Sequence, residues 1–297
     1  MHIKAWIIAF RLRTLPLAIS CIGMGSFLAA EKGFFTWPVF LLTIVTTIFL
    51  QILSNLANDY GDAVSGIDGE HRTGPKRMVQ TGAISKQAMK KAMYIFGMLS
   101  FFCGITLLYS TLKDFQSFLV FLGLGIASIF AAITYTVGKK PYGYVGLGDL
   151  SVFIFFGLVG VGGTYYLFTK TLDWNILFPA CSSGLFAVGV LNINNVRDIE
   201  SDKASGKFSL PVRMGKKNAG LYHACITAIG VVCAVVYAAL HFEILIQWIF
   251  LVTIPLFWGI AGAVIKLPSH ELDPFLKRMA LSTLLFVLLF GIGLLIR

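Results

Sequence analysis

Two short patterns in this 297-residue sequence combine residue types that can hold a hard cation. Asn55, Asp59 and Asp62 stand at i, i+4 and i+7; Asn194, Asp198 and Asp202 stand at i, i+4 and i+8. On a helix either spacing gathers three side chains on one face. Two carboxylates one turn apart repel each other when bare, and a divalent cation relieves that repulsion. The donors are all oxygen, without a His or Cys cluster beside them, which suits Mg²⁺, Mn²⁺ or Ca²⁺. Mg²⁺ commonly binds through one or two carboxylates, waters and the oxygens of a substrate phosphate.

Basic residues trail both patterns. Arg72, Lys76 and Arg77 follow the first, Lys207 and Arg213 follow the second, and Lys139 and Lys140 lie in a third connection. Arg offers phosphate a two-pronged fork and Lys a point charge. Acids, a cation and bases together suit a diphosphate leaving group, whose departure builds negative charge. Lys86, Lys90, Lys91, Lys216 and Lys217 are ordinary loop charges that set topology.

The elements that must carry these residues are apolar. Hydrophobic residues make up 57% of the chain and charged residues 13%, about half the usual charged share. A soluble core of this size cannot bury so much apolar surface. Nine stretches are long enough to cross a bilayer: 5–30, 37–57, 90–110, 117–137, 148–168, 176–194, 219–241, 244–265 and 275–296. Twenty of the 24 Lys and Arg fall in alternate connections, and only Lys32, Lys113, Lys170 and Arg297 fall on the other side. That asymmetry predicts an odd number of crossings with a cytoplasmic N-terminus. Arg11 and Arg13 interrupt the first apolar region, so no cleavable signal peptide is expected. The net charge of +10 is explained by topology and an anionic substrate, and nucleic acid is not an expected partner. The five cysteines show no paired or metal-ligand spacing and are expected as small buried hydrophobes.

Seven of the 14 acidic residues lie in the two patterned loops, Asp59, Asp62, Asp68, Glu70, Asp198, Glu200 and Asp202. Charges at the edge of membrane helices point to function. The loops follow spans two and six and resemble each other, from Asn-rich helix end to a Pro-x-Arg-Met stretch. This suggests an internal repeat of four spans, with a ninth added, and sites often lie at such repeat interfaces. A CDP-alcohol phosphotransferase packs its acids into one motif, whereas these pairs stand about 140 residues apart. A cation transporter places charge near the bilayer midplane; here the charge is at one edge.

The same residues resemble the UbiA superfamily of membrane prenyltransferases. The carriers are Asn58-Asp59-x-x-Asp62 with Asp68, paired with Asp198-x-x-x-Asp202-x-x-x-Gly206-Lys207. Within it, the chain is most similar to the 1,4-dihydroxy-2-naphthoate polyprenyltransferases of menaquinone synthesis. Asn55-Leu-Ala-Asn-Asp-Tyr-Gly-Asp62, Gly66-x-Asp68, Arg72-x-Gly-Pro-Lys-Arg77, Arg13-Thr-Leu-Pro16, Gly146-Leu-Gly-Asp149 and Asn194-Asn-x-Arg-Asp198 carry that likeness. Where many relatives have a third acid, this chain has Gly66, with Asp68 two positions on.

The resemblance implies an all-α integral membrane fold, nine helices around a central cavity, with residues 1–297 as one transmembrane prenyltransferase domain in the cytoplasmic membrane. It implies transfer of a polyprenyl group from its diphosphate to 1,4-dihydroxy-2-naphthoate, with loss of CO₂. Other aromatic acceptors in the superfamily are 4-hydroxybenzoate, homogentisate and haem or chlorophyll precursors. Mg²⁺ would be held on the cytoplasmic side by Asp59, Asp62, Asp198 and Asp202, with Asp68 as a further ligand. Asn55, Asn58, Asn194 and Asn195 would orient substrate. Arg72, Lys76, Arg77, Lys139, Lys207 and Arg213 would neutralise the diphosphate, and Arg11 or Arg13 would meet an acceptor carboxylate. Tyr135 would face an allylic cation with its ring. Membrane lipid would surround the chain and admit the prenyl donor sideways.

Overall fold

The computed structural model describes residues 3–66, 74 and 77–296, and among them all regular structure is helical. In a bilayer this follows from the backbone, since a helix satisfies its own peptide groups where water is absent. The helices are α1 (Ile3–Phe10), α2 (Leu15–Glu31), α3 (Trp37–Val64), α4 (Lys86–Thr111), α5 (Phe115–Thr134), α6 (Gly148–Val152), α7 (Gly163–Thr169), α8 (Leu177–Arg197), α9 (Ile199–Ala204), α10 (Leu210–Leu240), α11 (Ile254–Lys266) and α12 (Asp273–Leu295). Among the described residues nine stretches are long and apolar enough to cross a membrane. The protein is an all-helical, multi-pass membrane protein.

Prolines open many of these helices. Pro16, Pro38, Pro211, Pro255 and Pro274 stand in the first turns of α2, α3, α10, α11 and α12, where a missing N–H leaves no bond unmade. Ser85 and Asp114 cap α4 and α5 by accepting from Ala88 N and Ser117 N at 3.2 and 2.7 Å, each satisfying one orphan amide.

Several spans depart from simple continuous helices. The first, expected over 5–30, breaks after Phe10: Arg11 takes a left-handed φ of 49° and a short 3₁₀ turn, Leu12–Thr14, redirects the chain into α2. The fifth opens as α6, widens to a π-helix over Phe153–Gly162 and closes as α7. The seventh begins well before 219, at Leu210, with a kink at Gly215. Span eight starts as a 3₁₀ helix, Leu245–Thr253.

Two packed bodies flank a cavity. The larger joins α2, the π-helix, α7, α8, α10, α11 and α12. In it Phe186 stacks on Phe257 with ring centres 4.6 Å apart. Lipid tails are as apolar as the side chains, so close backbone approach drives such packing. A Cβ on Gly157 would stand 2.7 Å from Ala180 O and 3.0 Å from Gly184 Cα, which is how the Gly157–Gly163 run lets the π-helix settle on α8. The smaller body joins α1, α3 and α4. No residue of α5 is buried; it forms a thin wall beside the cavity. The expectation of buried cysteines holds for Cys21 alone: Cys103, Cys181 and Cys233 are half-buried and Cys225 is exposed, because an apolar solvent exerts no pressure to hide them.

Candidate active site

The first acidic face is built as its spacing predicts. Helix α3 runs unbroken through Asn55, Asp59 and Asp62, and all three are buried. Gly61 between them is required: a Cβ there would stand 2.5 Å from Thr136 O. That closeness lets Thr136 donate to Ala57 O at 2.9 Å and to Asn58 Oδ1 at 3.2 Å, which fixes the connection after α5 against the face.

The second face differs from the expected continuous helix. Helix α8 ends at Arg197, Asp198 has non-helical φ/ψ of −95° and 11°, and α9 restarts at Ile199. Asp198 and Asp202 therefore lie on two helices that meet at a bend. Asp198 is gripped by its neighbour, with Arg197 Nε and Nη2 donating to its two oxygens at 2.8 and 2.7 Å. The same guanidinium donates to Asn194 Oδ1 at 2.9 Å and to Asp273 Oδ1, at the start of α12, at 2.5 Å.

The two motifs meet. Gly74, in the connection after α3, packs so tightly on the second motif that a Cβ would lie 2.7 Å from Arg197 Nη2 and 3.1 Å from Asp198 Oδ1. Tyr135 sits among carboxylates of both. Burial pushes its hydroxyl pKa up, and Asp149, Asp202 and Asp62 add to the rise. Burial likewise raises Asp202; Lys207 opposes that rise, and Asp198 and Asp62 reinforce it. Tyr144 is raised by burial and by Asp62, to which its hydroxyl donates.

Each acid carries its own partner. Arg77 pairs with Asp62 and also donates to Asn58 O. Lys207 Nζ stands 2.9 Å from Asp202. Asp59 accepts from the backbone of Met78 and Val79 at 3.2 and 3.3 Å, pinning the chain after the loop.

A cavity of about 370 Å³ opens beside this cluster. Asn55, Asn58, Asp62, Arg77, Tyr135, Asn194, Asn195 and Lys207 line its polar end. Asp59, Asp198 and Asp202 stand behind that lining. Arg13 lies to one side, in an annex, bonded to Asp273 at 3.2 Å. Two expected diphosphate contacts are elsewhere: Arg213 donates to Phe208 O and Val145 O at 3.0 Å, and Lys139 is exposed away from the cavity. Asp68, Arg72 and Lys76 lie outside the described residues. Asp149 accepts from Tyr222 at 2.9 Å and does not line the cavity.

From this end the cavity runs along α3 to Thr43, a rise of roughly 28 Å at helical geometry. Its far floor is a packed apolar cluster that includes Leu107, Leu108, Phe121, Leu122 and Leu167. Thr43, Thr46, Thr47, Ser100, Ser128 and Thr164 also line it, but each hydroxyl donates to a carbonyl four residues back at 2.6–2.8 Å. The shaft thus presents methyl and methylene surface to whatever fills it.

The donor set fits a hard cation that arrives with phosphate. Among the described residues no three His, Cys, Asp or Glu converge to hold an ion alone. Asn195 Oδ1 is buried at the cavity with no hydrogen-bond partner among the described residues. One or two carboxylates, an amide oxygen and phosphate oxygens make a Mg²⁺ shell of the ordinary kind.

Sequence reasoning missed the roles of Tyr144, Thr136, Arg197 and Asp273. Arg197 stood in a recognised motif, but nothing in the pattern showed it spanning to α12.

The model of the UbiA prenyltransferase family matches residues 17–284. The chain is 45% identical to the 1,4-dihydroxy-2-naphthoate octaprenyltransferase of Haemophilus influenzae, over 99% of this chain and 96% of that protein. It is 46% identical to the same-named protein of Escherichia coli, over 98% and 94%. In fold it is similar to a UbiA homolog from Aeropyrum pernix K1, with a TM-score of 0.70 at 17% identity, over 95% of this chain and 97% of that one. A UbiA homolog from Archaeoglobus fulgidus bound to GPP and Mg²⁺ aligns with a TM-score of 0.63 at 17% identity, over 96% and 99%.

Proposed function

The chain belongs to the UbiA prenyltransferase family, and from that premise we propose that it joins a polyprenyl group to 1,4-dihydroxy-2-naphthoate. The name shared by full-length relatives at 34–46% identity supports this reaction. The observation that carries it in the structure is the union of a charged head and a floored apolar shaft in one cavity. A long prenyl diphosphate has that same shape. Family membership sets aside the phosphotransferase and transporter readings.

Residues 1–297 act in this reading as one transmembrane domain of the cytoplasmic membrane, with the charged head on the cytoplasmic side. A repeat of four spans places one acidic face at the end of each second span. Asp59, Asp62, Asp198 and Asp202, with Asn58 and Asn195, are the residues to hold Mg²⁺, joined by Asp68. Bound there, Mg²⁺ supplies positive charge that stabilises the departing diphosphate. The homolog bound to GPP and Mg²⁺ supports that choice of ion.

The chain's own residues account for the rest. Arg77 and Lys207 line the cavity and meet the diphosphate as it gains charge. Tyr135 lines the same space. Its ring is held edge-on to Tyr142 at 5.3 Å and hemmed by Gly143 and Gly148, and it stabilises positive charge growing on the allylic carbon. The acceptor ring carbon then bonds to that carbon, and the carbon–oxygen bond breaks with its electron pair leaving on the diphosphate. The ring sheds a proton where it was alkylated. The carboxyl leaves as CO₂, and its bonding pair takes up a proton.

The test is purified protein with Mg²⁺, a polyprenyl diphosphate and 1,4-dihydroxy-2-naphthoate, following product mass and CO₂ together. Prenylated naphthol with stoichiometric CO₂ is expected. Product only with 4-hydroxybenzoate, homogentisate or another ring acid would overturn the acceptor and leave the transfer.

A further inference from the structure

One acid near the charged head takes no part in the reading above. Asp149 closes the Gly146-Leu-Gly-Asp149 stretch, stands in the first turn of α6 and is 6% exposed. Peptide dipoles at a helix start favour a carboxylate, but a charge withdrawn from water at a membrane helix is costly and marks function. Asp62, Asp198 and Asp202 each have an arginine or lysine beside them. Among the described residues Asp149 has only the phenol of Tyr222, which donates from α10 at 2.9 Å. Its charge is held in place by that bond and is not cancelled.

The charge sits against the ring assigned to the allylic cation. Tyr135 lines the cavity and Asp149 does not. A Cβ on Gly148, the residue before Asp149, would stand 2.7 Å from Tyr135 Oη and 3.2 Å from its Cε2. The start of α6 therefore touches the hydroxyl end of the ring. On the other edge, a Cβ on Gly143 would stand 2.8 Å from Tyr135 Cε1. Tyr142 lies edge-on to the same ring at 5.3 Å, and its hydroxyl is bonded to Ala131 O and Ser151 Oγ at 2.9 Å each. Two glycines and a tethered neighbour thus fix the ring at a set distance from α6. After burial, Asp149 is the largest cause of the raised Tyr135 hydroxyl pKa, ahead of Asp202 and Asp62.

We infer that Asp149 is a positioning residue for prenyl transfer: a fixed negative charge outside the cavity, beside Tyr135, that stabilises the allylic cation forming at that ring. The inference rests on the reading that such a cation forms there. Ionisation of the donor makes two opposite demands, positive charge at the departing diphosphate and negative charge near the allylic carbon. Arg77 and Lys207 serve the first, and Asp149 serves the second. Kept out of the cavity, its carboxylate cannot capture the cation as an ester.

The experiment uses Asp149→Asn and Asp149→Ser, both neutral and both able to accept from Tyr222. Calorimetry measures Kd for a polyprenyl trimethylammonium and for its uncharged tert-butyl isostere, each with inorganic diphosphate and Mg²⁺. One fixed charge within about 10 Å of another shifts an equilibrium by about tenfold or more at the effective dielectric of a protein site, so the ammonium Kd should rise by that factor in both variants while the isostere stays within about twofold of the parent. The isostere also reports whether the cavity is still formed. An unchanged ammonium Kd overturns the inference. So does an equal rise for both probes, which is what a packing role alone would give. Because binding needs no acceptor, a failure of the naphthoate reading shows in turnover of the parent enzyme and not in these constants.

Discussion

At the scale of single residues, the site is organised by neutralisation. Asp62, Asp198 and Asp202 each face a guanidinium or ammonium, and Asp59 faces two amides. Replacing Asp62 or Asp198 with Asn keeps size and burial but removes charge. Turnover at saturating substrates should fall by about a hundredfold or more, and the melting temperature should drop as well, because Arg77 or Arg197 is left buried beside a neutral amide; the assay is therefore run well below the variant's melting temperature. Asp202 makes a second prediction. Its carboxyl is raised by burial, so the folded state holds a proton that the unfolded chain has released. Stability of metal-free protein from this group is greatest below about pH 4 and declines as pH rises through the folded value. Asp202→Asn should flatten that decline, read from melting temperatures across pH in the presence of chelator. The acids themselves were legible in the sequence because helical spacing repeats. Arg77 and Lys207 were legible beside them, but Tyr144, 82 positions from Asp62, and Asp273, 76 positions from the Arg197 it binds, were not, since no periodicity links such residues.

At the scale of elements, breaks matter as much as helices. The bend at Asp198 sets that residue at the end of the long α8 and Asp202 on the short α9. The turn at Arg11 separates α1 from α2, although apolar composition alone reads them as one span. Both breaks are fixed by Asp273 on α12, which binds Arg13 from the first and Arg197 from the second. Arg197 is therefore the keystone: its side chain is 1% exposed and contacts two acids and an amide. Arg197→Gln strands a buried Asp198 and should cost about 3–5 kcal/mol in denaturant unfolding. Asp273→Asn should cost less, because that carboxylate is 37% exposed. The nine spans were readable from apolar length, and the π-helix and the 3₁₀ entries were not. Those arise from packing between neighbours, such as Gly157 on Gly184, and leave no mark on composition.

At the scale of the whole molecule, a membrane protein of two packed bodies leaves a shaft between them. The floor of that shaft limits depth, and the α5 wall limits width. Gly125 lines it with no atom within 4 Å of the place a Cβ would occupy. Gly125→Phe should fill the shaft and leave the charged head untouched. Competition between a short and a long prenyl diphosphate should then shift toward the short one by about tenfold or more, a large buried side chain being a serious obstacle in a packed space.

The hydroxyls along that shaft carry a final consequence. Thr43, Thr46, Thr47, Ser100, Ser128 and Thr164 spend their protons on their own helices, so these six give the wall little directional grip. A chain inside can slide by any fraction of its length without breaking a bond. The protein therefore reads its donor in two languages: chemically strict at the head, and at the tail only as a ruler reads length. To an apolar chain such a wall is nearly the same solvent as the lipid outside, so the shaft sorts by length and not by bonding.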